Sequence, residues 1–108
     1  MASRLPLRSY RHIPLFMKRT LVIRRQLAGA PGLIGYAILA DLPHKTFWTV
    51  SAWDSRLALN GFSATNPHRV IVRATRPMMG RSTFVFWTCP ASSLPISWDE
   101  VRRRIAQA

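Results

Sequence analysis

The chain has 108 residues, 48% of them hydrophobic and 10% aromatic, which is enough apolar surface for one buried core and too short a length for two independent domains. The same composition excludes a disordered basic tail, since such tails lack the aliphatic and aromatic side chains that offset the entropy of ordering. Sixteen Arg and Lys against four Asp and Glu give a net charge of +12, a balance that taken alone points to nucleic acid or another anionic partner.

A single cysteine, Cys89, excludes an intramolecular disulfide framework and a cysteine-built zinc site. It reads as a small apolar residue at a strand end. No apolar run reaches the roughly 18–20 residues of a membrane span, because Lys18 and Arg19 interrupt Ile13–Ile23. Nothing calls for an oxidising compartment, so a cytoplasmic location is expected. No acid precedes Asp41, whereas Arg4, Arg8, Arg11, Lys18, Arg19, Arg24 and Arg25 do. That is the compositional look of a mitochondrial presequence, although its removal would take away the first strand and helix.

In chain order, Arg4–Tyr10 reads as a first strand, with Leu5, Leu7 and Ser9 on one side and Pro6 suited to an edge or strand start. His12-Ile13-Pro14 opens a helix on which Phe16, Thr20, Ile23 and Leu27 recur at 4-3-4 spacing; Gly29 and the Ala30-Pro31-Gly32 loop end it. Leu33–Ala40 is predicted as a strand that is apolar on both faces, which requires a cover beyond this chain's own helices. Asp41–His44 connects it to a second strand, Thr46–Trp53, and the two should form a hairpin. Asp54-Ser55 signals an N-cap, and a broken helix follows, restarting at Asn66-Pro67-His68 and running to about Thr75. Ser82–Cys89 is a last strand, and Ser97-Trp98-Asp99-Glu100 is a capping box for a tail helix. The order β-α-β-β-α-β is that of a ferredoxin-like α+β fold: a four-stranded antiparallel sheet with both helices on one face. Residues 1–92 form this domain and 93–108 a C-terminal helical extension.

Two functions fit this plan, and the sheet face away from the helices separates them: exposed with stacking aromatics in an RNA-recognition module, packed on a second subunit in a dimeric barrel. Lys45–Ala52 can be laid over the RNA module's third strand, but Thr49 and Ala52 stand where two stacking aromatics belong. Arg69, Arg73 and Arg76 form a basic stripe and Arg102-Arg103-Arg104 another patch. Neither accompanies a glycine-rich phosphate loop, which favours a solvated helix exterior over a nucleic-acid site. His68, at the restart of a helix whose apolar side faces the sheet, can point into the space between them and accept a proton at neutral pH. His12 and His44 read as cap or surface groups, and no carboxylate accompanies any histidine closely, which argues against a metal site. Trp48 and Trp53 have opposite strand parity, so one faces the helices and the other faces away.

The blocks Pro31–Tyr36, Phe47–Asp54, Pro67-His68-Arg69 and Phe84–Thr88 resemble those of the antibiotic-biosynthesis-monooxygenase-like family of dimeric α+β barrels, most of all a small actinobacterial-type branch. The resemblance covers roughly Arg4–Pro90. It implies a homodimer whose sheets pack face to face, with a ligand cleft between helices and sheet in each subunit. It also implies a cofactor-independent monooxygenase for a small aromatic, quinol or polyketide-type substrate, in which His68 takes the proton or hydrogen-bonds the substrate. Trp48 or Trp53 would wall the cleft beside Tyr36, and Arg69 or Arg8 would neutralise a phenolate. Haem-degrading members place their histidine ligand about one helical turn further on, where Val72 stands here, so a cofactor-free protein is favoured over a haem-binding one. The alternative is a non-catalytic binding protein: a carrier of an aromatic ligand or haem, or a basic module for anions or nucleic acid.

Overall fold

A computed structural model describes all 108 residues. Its principal elements are β1 (Ala2–Pro6), α1 (Ile13–Ala28), β2 (Leu33–Asp41), β3 (Thr46–Trp53), α2 (Arg56–Ala64), α3 (His68–Thr75), β4 (Thr83–Val85) and α4 (Trp98–Ala106). The strands form one antiparallel sheet in the order β2-β3-β1-β4, the ferredoxin-like arrangement expected from the sequence.

The two outer strands of the chain differ from their predicted bounds for packing reasons. β1 begins at Ala2, because it lies at the sheet centre between two covering layers and only small side chains fit there; Ala2 is 0% and Ser3 2% exposed. It ends at Pro6, which has no N–H to give. Leu7 then makes one isolated bridge to Met79, and Tyr10–His12 form a 3-10 turn in place of strand. β4 stops at Val85, which pairs with Ala2; beyond that register the partner strand has run out.

Helix α1 follows the 4-3-4 pattern. Phe16 and Leu27 are buried, with Thr20 and Ile23 half-buried between them. Phe16 stacks on Phe47 of β3 at a centroid distance of 4.4 Å. Ser55 caps α2 by accepting from the Ala58 N–H at 3.1 Å. Ser97 caps α4 by accepting from the Glu100 N–H at 3.2 Å, but the Glu100 carboxylate meets Arg104 at 3.1 Å and Arg103 at 3.8 Å in place of completing the reciprocal half of the box.

Helix α4 supplies a second cover from within the chain for β1 and β3, but not for β2, the strand for which an outside cover was expected. Val101 and Ile105 of α4 join Ala2 and Val50 in one buried cluster, with Trp48, Val85, Trp87, Ile96 and Trp98 packed around it. This helix therefore roofs the sheet face opposite α1. The cover stops short of β2, whose Gly35 and Ala37 on that face stay exposed.

Gly32 fixes the entry to β2. Its φ is +80°, and a Cβ there would come within 2.5 Å of the Asp54 carboxylate and 2.6 Å of the Ala58 methyl. A side chain at this φ costs about 1–2 kcal/mol before any clash is counted. Gly32→Ala is expected to lower unfolding stability by more than that, read as a reduced urea midpoint with an unchanged slope.

Candidate active site

Strand alternation decides which side chains meet the helices. Phe47, packed on Phe16, fixes the parity of β3, so Thr49, Ser51 and Trp53 share its face. In register with them stand Tyr36 and Ile38 of β2 and Ser3 and Leu5 of β1. Between this face and α1 and α3 lies a cleft of about 140 Å³, with His68 at its edge and Thr20, Ile23 and Tyr36 among its walls.

His68 is the first residue of α3 and is half-buried. Its Nδ1 lies 3.2 Å from the Ser63 carbonyl oxygen. A carbonyl can only accept, so this contact assigns the proton to Nδ1 and leaves Nε2 with its lone pair. Burial pushes the imidazole pKa below its usual 6.5, partly opposed by the bond to Ser63. The ring is therefore neutral at pH 7 and able to take a proton. It packs on Phe62 at 4.9 Å, and Phe62 packs on Trp53 at 5.4 Å. The Trp53 indole N–H in turn donates to Ser51 Oγ at 2.8 Å.

Gln26 of α1 holds the break between α2 and α3. Its Nε2 donates to the carbonyls of Thr65 at 3.3 Å and Phe62 at 3.5 Å, while its Oε1 accepts from the His68 N–H at 2.9 Å. The two carbonyls also accept from the Thr65 and Arg69 N–H groups, so the group that depends on this amide is the His68 N–H at the start of α3. Arg24, also on α1, directs Nε to the Tyr36 hydroxyl at 3.4 Å. Neither residue stood out in the sequence. Gln26 has no partner at helical spacing, and Arg24 was one among many arginines.

Of the residues singled out from sequence, the structure brings His68 and Tyr36 together in the cleft, while Trp53 reaches His68 only through Phe62 and itself lines a larger groove. Trp48 lies on the opposite face, packed against the α4 cluster with the Arg102 guanidinium 5.9 Å from its ring. Arg8 is directed away, donating from Nε to the Met79 carbonyl at 2.8 Å. Arg69 is exposed on α3 and does not line the cleft. The cation beside the cleft is Arg24. Contrary to expectation, His44 has a carboxylate partner, Asp41 at 2.9 Å, and Cys89 is exposed. Val72, where haem-degrading proteins carry their ligand, is half-buried and offers no coordinating atom.

A larger groove of about 600 Å³ runs past Trp53, Arg56, Phe86 and Trp87 on the far side of Ser51. Arg56 stacks over Phe86 at 3.9 Å. The groove contains no histidine, so the smaller cleft is the better candidate for proton chemistry.

No protein-family model matches the sequence, and no curated protein does. Solved structures do share the fold. An antibiotic biosynthesis monooxygenase is 15% identical, with 82% of this chain and 96% of that one aligned at a TM-score of 0.71. SnoaB, a cofactor-independent oxygenase from Streptomyces nogalater, is 14% identical over 82% of this chain and 93% of its own, with a TM-score of 0.59. Rv0793 from Mycobacterium tuberculosis is 18% identical over 83% and 94%, with a TM-score of 0.63. The fold is thus the one found in antibiotic biosynthesis monooxygenases, as the sequence blocks had suggested.

The depressed pKa of His68 has a definite sign in stability. Below pH 6.5 the unfolded chain takes up the proton before the folded one does. Stability is therefore full above that pH and declines as pH falls, levelling once the folded imidazole is protonated too. An NMR titration should place His68 below 6.5, and His68→Gln should remove this part of the acid slope in urea melts.

Proposed function

We propose that the protein is a cofactor-independent monooxygenase for a small aromatic or quinol-type substrate, acting as a homodimer in the cytoplasm. The observation that carries this reading is the neutral His68, its Nε2 free to accept, at the edge of a mostly apolar cleft. In the proposed reaction His68 takes a proton from the activated carbon or hydroxyl of the substrate. The resulting carbanion reduces oxygen, a carbon–oxygen bond forms, and the peroxide breaks down to a carbonyl with loss of water. Tyr36, held beside Arg24, would donate to the developing oxyanion, and Phe62 backed by Trp53 would orient the imidazole.

The size of the cleft narrows the substrate. Its volume of about 140 Å³ is close to the roughly 150 Å³ of an apolar cavity that holds benzene, which supports a single-ring substrate over a fused polyketide. Support for the homodimer comes from β2, whose outer face is apolar and left uncovered by α4.

Oxygen uptake with one-ring quinols tests the chemistry. His68→Ala should lower kcat/KM by about tenfold or more with the circular dichroism unchanged; equal turnover would remove His68 from the reaction. Quenching of tryptophan fluorescence by the quinol with no oxygen uptake would make the protein a carrier. Light scattering should give a particle of twice the 12.3 kDa chain, and substitution of Ala37 by Arg should return it to the monomer.

A further inference from the structure

The proposed chemistry leaves unexplained the outward surface of the helical layer, where charge and exposed apolar side chains coincide. All four acids lie elsewhere: Asp41 and Asp54 at the ends of β2 and β3, and Asp99 and Glu100 on α4. Helices α1, α2 and α3 carry none. The arginines of α4 are partly matched there, Arg102 by Asp99 and Arg103 and Arg104 by Glu100. On the opposite side of the sheet Lys18, Arg25, Arg69, Arg73 and Arg76 are exposed and form no ion pair.

Interleaved with these cations are large apolar side chains. Leu15 is 41% exposed, Leu21 55% and Val22 36% on α1, with Val70 at 58% on α3. The helical period places Phe16, Thr20, Ile23 and Leu27 toward the sheet and Lys18 and Arg25, seven residues apart, at the opposite pole. Leu15 and Val22, also seven apart, flank that pole on one side, and Leu21 with Met17 flanks it on the other. The solvent face of α1 is therefore a cationic ridge between two apolar ones. Helix α3 adjoins it, joined by the Arg19–Thr75 and Gln26–His68 hydrogen bonds, and extends the unpaired charge.

We infer that this face docks on an anionic phospholipid bilayer. Aliphatic tips flanking guanidinium and ammonium groups match the headgroup region, where the apolar ends enter the acyl boundary and the cations meet phosphates. Nucleic acid would use the charge but has little use for exposed leucines, and it is gripped by stacking on aromatic rings. The only aromatic residue of α1 and α3 is Phe16, which is buried. The same two helices roof the His68 cleft, so docking would bring that roof to the membrane, though the inference holds whether or not the cleft is catalytic.

The test is co-sedimentation of the full chain with vesicles of phosphatidylcholine alone and with about 30% phosphatidylglycerol added. Binding is expected to the anionic vesicles only. Lys18→Glu with Arg25→Glu should lower it by about tenfold or more. Leu15→Asn with Leu21→Asn should lower it severalfold at unchanged net charge. Arg102→Glu with Arg103→Glu, an equal change of charge on the other side of the sheet, should leave it nearly intact. All six positions are exposed, and thermal melts check that each variant folds. Failure to bind either vesicle, equal binding to both, or equal loss in the α4 variant would overturn the assignment. So would full binding by the asparagine variant, and in that case protection of a short RNA by wild type and asparagine variant alike would assign the face to nucleic acid.

Discussion

Strand β3 alternates between two buried surfaces, and the placement of nearly every other element follows from that alternation. Its Phe47 packs under Phe16 of α1, while Val50, on the other face, joins Val101 and Ile105 of α4. A strand covered on both sides must supply apolar or internally paired groups at every position. Thr49 meets Ser3 hydroxyl to hydroxyl, and Ser51 takes the indole proton of Trp53. β1, beside it, is squeezed between the same layers and accommodates them with Ala2 and Ser3. Once Phe47 is set against α1, the parity of the strand assigns Trp53 to the helix side of the sheet and Trp48 to α4, and no local preference of either tryptophan is involved.

The same two-sided cover divides the charge. On α4 the acids occupy the first turn and Arg103 and Arg104 the last, which suits the helix dipole, and Arg102 and Arg104 lie near the Trp48 and Trp87 rings. Here arginine acts as much through its planar apolar body as through its charge. The helical layer has no comparable arrangement. Arg19 and Arg24 are used internally, by Thr75 and Tyr36, and the other cations project outward without counterions. A sum of +12 thus describes two dissimilar surfaces.

Much of this organisation was legible in the sequence where a short-range rule governed it. The spacing of Phe16, Thr20, Ile23 and Leu27 marked the buried side of α1, and Ser55 and Ser97 marked two helix starts. The Leu33–Ala40 and Thr46–Trp53 runs gave the hairpin. Long-range decisions were not legible. Ala2 and Ser3 carry no strand signal of their own and pair because the space between the layers admits nothing larger. The length of β4 is set by its partner. The docking side of α4 depends on whether Val101 and Ile105 find a vacant apolar face, which residues 98–106 do not encode by themselves. In the cleft, His68 could be picked out by its place after Pro67, but Arg24 and Gln26 act by side-chain reach across elements, which periodicity does not describe.

That reach matters to the chemistry of His68. Its neutrality comes from burial, opposed by the Ser63 bond. Its orientation depends on a helix break that Gln26 bridges from a different helix. The cationic exterior is therefore separate from the proposed base. Proton transfer from a bound substrate to His68 leaves the net charge of the cleft unchanged, so a long-range positive field contributes little to that step. In the proposed reaction the field would act instead where net charge moves, on the approach of an anionic ligand or surface and on the return of the proton from imidazolium to water. In the proposed reaction the arginines would thus speed encounter and regeneration, while the barrier itself would depend on the tautomer fixed by Ser63 and on the phenol held by Arg24.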